Sequence, residues 1–96
     1  MEKRGFYVVV YDISDDRRRT RLHNRLLSYG SPVQYSVFEC LLSEKELHRM
    51  LRMIERTIRK RRDHVRVYSL CEACLKKTRV YGEGEEVLHE TTSIVV

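Results

Sequence analysis

Two periodicities, one of two residues and one of 3.6, alternate along the first 82 residues, and their order predicts the fold. Phe6-Tyr7-Val8-Val9-Val10-Tyr11 is β-branched, aromatic and almost unbroken in apolar character, the pattern of a central strand. Asp12 ends it. Ser14 as cap, with Asp15 and Asp16 as first-turn acids, then opens a helix to about Tyr29, stopped by Gly30 and Pro32. On it Leu22, Leu26 and Tyr29 share one face while Arg17, Arg21 and Arg25 line another. Residues 33–42 read as extended, either one strand or two with a break near Ser36, because no Gly or Asn-Gly marks a hairpin. Ser43 and Glu46 form a capping box ahead of an apolar stripe, Leu47, Met50, Leu51, Ile54 and Ile58. After Arg59-Lys60-Arg61-Arg62 comes another alternating strand over 65–70, then a loop with Cys71 and Cys74, then a short strand over 77–81.

That order, β-α-β(β)-α-β, points to an α/β fold: a ferredoxin-like βαββαβ two-layer sandwich with an extra C-terminal strand. Its two amphipathic helices cover one face of the sheet. The other face leaves apolar residues of the central strands uncovered, which predicts a dimer formed through the sheet face. Ninety-six residues suit one domain, placed at 1–82, and self-association would supplement a thin core. Residues 83–96 form an acidic tail with a β-prone end over 91–96.

Charge sharpens this division. The first 82 residues hold all 19 lysines and arginines against ten acids, a net of +9, while the tail carries four glutamates and no basic residue. A basic body points to a polyanionic partner, nucleic acid ahead of a membrane surface. The longest apolar run, from Phe6 to Tyr11, is far short of a membrane span, and no signal-peptide cleavage pattern follows it. Three cysteines argue against a disulfide framework and for a cytoplasmic protein with reduced thiols.

Asp12 stands where an apolar strand ends and a helix is about to begin, the end of α/β strands at which ligands collect. A carboxylate there can hold Mg²⁺, which takes one or two carboxylates and completes its shell with water and phosphate. It can equally accept hydrogen bonds from the next helix. Arg19 and Arg21 follow within about two turns and can fork onto a phosphate, whereas Arg17, Arg18 and Arg25 read as a solvated face. Cys71 and Cys74 have the spacing of half a zinc site, completed only across a dimer; the pair can also form a disulfide, and otherwise reads as reduced loop thiols. Cys40 reads as core, and the four histidines show no ligand spacing. Tyr11 and Phe38 read as sheet core with access to an edge.

Four stretches together resemble the CRISPR-associated protein 2 family. They are Tyr11-Asp12-Ile13, then Asp16 with Arg18-Arg19-x-Arg21-Leu22, then Tyr29-Gly30, and Val33-Gln34-Tyr35-Ser36-Val37-Phe38-Glu39-Cys40. The resemblance implies a homodimer whose C-terminal strand completes the partner's sheet. It also implies capture of new spacer DNA in the cytoplasm together with the integrase CRISPR-associated protein 1. Members of the family are described as metal-dependent endonucleases acting on single-stranded RNA or duplex DNA. Carried over by position, the metal carboxylate is Asp12 with Mg²⁺ as cofactor, the catalytic basic residues are Arg19 and Arg21, and Tyr11 and Phe38 join them in contacting nucleic acid. Some members carry a basic residue just before the last stretch, where this chain has Pro32 and Val33. Three functions compete on these residues: an Mg²⁺-dependent endonuclease, a non-catalytic adaptor that grips duplex DNA, and an RNA-binding or toxin-type ribonuclease domain.

Overall fold

The computed structural model describes residues 3–82. Seven elements follow in order: β1 (Arg4–Asp12), α1 (Asp16–Leu26), β2 (Gly30–Gln34), β3 (Val37–Ser43), α2 (Glu44–Thr57), β4 (His64–Leu70) and α3 (Glu72–Lys77). The strands form one antiparallel sheet in the order β2-β3-β1-β4. In each half a strand-helix-strand unit spans a strand of the other half, as the ferredoxin-like reading requires. The acidic tail and its expected strand lie outside the described residues. Among the described residues no helix is long and apolar enough to cross a membrane.

Alternation along β1 sorts its side chains between two layers. Val9 and Tyr11, with Ile13 beyond the strand, join Phe38, Cys40 and Leu42 of β3 beneath Leu22 and Leu26 of α1 and Met50 and Ile54 of α2. Phe6 faces the other way and meets Leu75 of α3, with Val8, Leu70 and Val80 around them. The helix layer thus covers one face, and α3 covers only one end of the other.

Local chemistry explains where the elements begin and stop. The capping box at α2 forms as read: Ser43 Oγ accepts the Glu46 N–H at 3.2 Å, and the Glu46 carboxylate accepts the Ser43 N–H at 2.9 Å. At α1 the cap is Asp15, one residue later than expected, its carboxylate accepting the Arg18 N–H at 2.9 Å. That hydrogen bond holds the Asp15 carboxyl below the usual carboxylate range. The helix ends at Leu26 and not near Tyr29, and Gly30 opens β2 instead of stopping the helix. A Cβ at Gly30 would lie 2.6 Å from Cys40 Sγ, so glycine is there because β3 passes close.

The extended stretch 33–42 is two strands, and the break is at Ser36, whose φ is +64°. A serine in the left-handed region gives no glycine signature, which is why the hairpin was not legible. The expected strand over 77–81 is absent. Cys71 caps a helix in its place, Leu75 of that helix is buried against Phe6, and residues 78–82 follow without strand structure.

Candidate nucleic-acid interface

The residues singled out from the sequence fall on three surfaces of the single chain. Asp12 is exposed on the open face of the sheet, opposite the helices, in register with His64 of β4. Val10 lies beside it between Val37 and Arg66, and Val8 between Glu39 and Tyr68. Val8, Val10, Val37, Leu41 and Tyr68 therefore form an apolar field with Glu39 and Arg66 embedded in it. Tyr68 is 46% exposed there, and its hydroxyl lies 3.3 Å from Arg66 Nη1.

Tyr11, one residue earlier, points the opposite way. It lines a cavity of about 220 Å³ with Arg19, Thr20, His23, Gln34, Tyr35 and Ser36. Its hydroxyl is 3.4 Å from His23 Nδ1, and burial pushes the phenol up. Phe38 lies underneath, its ring centroid 5.2 Å from His23 and 6.4 Å from Tyr11. With none of its surface exposed, Phe38 supports those two rings and has no face to offer a base. Tyr35, 85% exposed at the cavity rim, is the aromatic that can stack.

Arg19 is tied down by its neighbours. One guanidinium nitrogen donates to the Ile13 carbonyl at 3.0 Å and to the Ser14 carbonyl at 3.4 Å, and the other pairs with Asp16. Those contacts fix the turn that follows Asp12. Arg21 is exposed on the outer side of α1, where Arg17, Thr20, Asn24 and Arg25 line a shallow depression with it. Arg21 and Asp12 are thus on opposite layers of the molecule.

Two arginines read as solvated have structural partners instead. Arg18 Nε and Nη2 donate to the two carboxylate oxygens of Asp63 at 2.8 and 3.1 Å. Arg25 Nη1 donates to Thr57 Oγ1 at 2.7 Å and joins α1 to α2. Asp63 drew no notice in the sequence because a single acid after four basic residues looks like loop. Its one signal is that it ends that basic run.

The donor set at Asp12 suits a hard cation, being an exposed carboxylate with room for water and phosphate oxygens. Among the described residues no three His, Cys, Asp or Glu side chains gather into a metal site. Asp12 is the one carboxylate assigned to such an ion.

Comparison with known proteins follows the same lines. The family described as CRISPR associated protein Cas2 matches residues 5–78. A Rhodospirillum rubrum protein named CRISPR-associated endoribonuclease Cas2 4 is 40% identical over 90 residues, covering 93% of this chain and 73% of the relative. A Thermus thermophilus protein named CRISPR-associated endonuclease Cas2 2 is 48% identical over 62 residues, covering 65% of this chain and 69% of the relative. The crystal structure of a hypothetical protein from Thermus thermophilus superposes with a TM-score of 0.76 at 40% identity, covering 85% of this chain and 95% of that one.

Proposed function

The chain belongs to the CRISPR-associated protein Cas2 family, and from that premise we propose that it acts as a nucleic-acid-binding homodimer in CRISPR adaptation, alongside the integrase CRISPR-associated protein 1. The observation that carries this reading is the opposition of two surfaces, an apolar open sheet face and an arginine-lined outer helix. Two copies meeting through Val8, Val10 and Val37 would remove most of the apolar field from water. The helices, on the far side of each sheet, would then present Arg17 and Arg21 outward. Such arginines neutralise backbone phosphates without reading sequence.

The same dimer gives Asp12 a chemical role. Two Asp12 carboxylates near the symmetry axis would repel, and a cation held between them would relieve that repulsion. When bound there, Mg²⁺ supplies a Lewis acid for a phosphodiester and lowers the pKa of its water. Asp12 holds the ion and Arg21 steadies backbone phosphate, while Arg19 fixes the turn behind Asp12. The substrate class is a phosphodiester of single-stranded RNA or duplex DNA. One carboxylate per chain favours slow cleavage, and favours the adaptor as the principal role.

Cleavage of both substrates by wild type and Asp12→Asn, with Mg²⁺ and with EDTA, tests the enzymatic half. Loss of cleavage in the variant and in EDTA supports it. Equal cleavage by wild type and variant overturns it and leaves an adaptor.

A further inference from the structure

Cys71 and Cys74 take no part in the proposed function, yet their geometry is that of a reactive pair. Their Sγ atoms are 3.4 Å apart, and both residues are exposed. A disulfide needs about 2.05 Å between sulfurs, a gap that a small side-chain rotation can close. The pair is also held in a fixed relation, because Cys71 Sγ accepts the Cys74 N–H at 3.4 Å. The third cysteine is separate: Cys40 is fully buried in the core, 3.9 Å from Met50 Sδ.

The two sulfurs differ in their surroundings. Cys71 lines a groove of about 420 Å³ and Cys74 does not. The groove has an apolar floor of Phe6, Leu41, Leu70 and Leu75, and among its charged residues Lys3, Arg4 and Lys76 outnumber the one acid, Glu72. An apolar floor with cations beside a thiol suits a small anionic molecule that carries sulfur. The hydrogen bonds from Cys74 hold the Cys71 thiol below its ordinary range, and the neighbouring Cys71 sulfur raises that of Cys74. These shifts agree with Cys71 being the sulfur that lines the groove.

We propose that Cys71 and Cys74 form a thiol–disulfide exchange site, with Cys71 attacking, Cys74 resolving, and an anionic low-molecular-weight disulfide as the substrate. The Cys71 thiolate attacks one sulfur of the small disulfide, whose S–S bond breaks as a mixed disulfide forms on Cys71. The first small thiolate leaves and takes up the proton that Cys71 gave to solvent. Cys74 then loses its proton to solvent, and its thiolate attacks Cys71 Sγ. The mixed disulfide breaks, the Cys71–Cys74 bond forms, and the second small thiolate leaves and is protonated. Two protein thiols are oxidised to one disulfide, and one small disulfide is reduced to two thiols. The product ring spans the cap and first turn of α3, the helix whose Leu75 covers Phe6.

Glutathione disulfide added to the reduced full chain, with intact-mass readout and peptide mapping, tests this. Wild type is expected to become lighter by two hydrogens with no lasting glutathione adduct. Cys74→Ser is expected to stop at one adduct, on Cys71, and Cys71→Ser to react about tenfold more slowly. Serine keeps the helix cap in Cys71→Ser, so slow reaction there reports chemistry and not unfolding. Stable adducts on wild type without an internal disulfide overturn the proposal, as does equal reactivity of the two single variants. Lys76→Gln tests the groove: a severalfold loss with glutathione disulfide, and no loss with the neutral hydroxyethyl disulfide, supports the anionic substrate. Equal rates for Lys76→Gln and wild type on both reagents overturn that part.

Discussion

Arg18 of α1 clasps Asp63, 45 residues away, with two charge-assisted hydrogen bonds, and the same carboxylate accepts the Arg59 N–H at 2.8 Å. The Asp63 side chain has no exposed surface, so its charge is stable only because these donors surround it. The clasp ties the first helix to the loop between α2 and β4, and thereby sets the arginine-bearing helix on the sheet. Asp63→Ala leaves Arg18 with its longer, 3.8 Å pairing to Asp15 and is expected to cost about 3 kcal/mol, read by denaturant melts.

The clasp also gives stability a direction with pH. Its hydrogen bonds from Arg18, above all, hold the Asp63 carboxyl below its ordinary range. A depressed carboxylate contributes stability that is fully present above its unfolded pKa, about 3.9, and is lost as pH falls through the folded value. Wild type should therefore lose more stability than Asp63→Asn between pH 5 and the acid limit, where the two melting curves converge. Parallel loss in both would separate acid sensitivity from Asp63.

Gly30 is expected to tolerate no side chain. A methyl group there meets Cys40 Sγ and the β3 backbone, so Gly30→Ala should destabilise by about 1–3 kcal/mol. Gly82, whose φ is +83° but whose surroundings are open, provides a contrast that separates crowding from backbone conformation. Thermal melts of Gly30→Ala measure the effect.

Charge placed on the open face should separate folding from self-association. Val10 lies between Val37 and Arg66 on that face and away from the helix-side core. Val10→Glu is expected to give a folded monomer by light scattering with circular dichroism close to wild type. A variant that remains dimeric would place the interface elsewhere.

What the sequence made legible is the part governed by local pattern. The 3.6-residue stripe through Met50 and Ile54, the Ser43–Glu46 box and the apolar β1 run each follow from adjacent residues, and all three are in the fold. The errors have a common cause, which is that the deciding partner is distant. Gly30 looks like a helix stop until β3 passes beside it, and residues 71–76 look like loop until Leu75 finds Phe6. Arg18 looks solvated until Asp63 closes on it. The candidate site divides for a related reason: Tyr11 and Asp12 are neighbours in sequence, but a strand sends consecutive side chains to opposite layers.

The central claim is that this basic chain binds nucleic acid through phosphate contacts from the outer helix, independently of Asp12. A titration of duplex DNA at increasing salt, with wild type, Asp12→Asn and Arg17→Ala/Arg21→Ala, tests it most directly. The account predicts a steep fall of affinity with salt, a slope reduced by roughly one for each phosphate-contacting arginine removed, and undiminished binding by Asp12→Asn. Binding that is salt-insensitive, or unchanged by loss of both arginines, would contradict it.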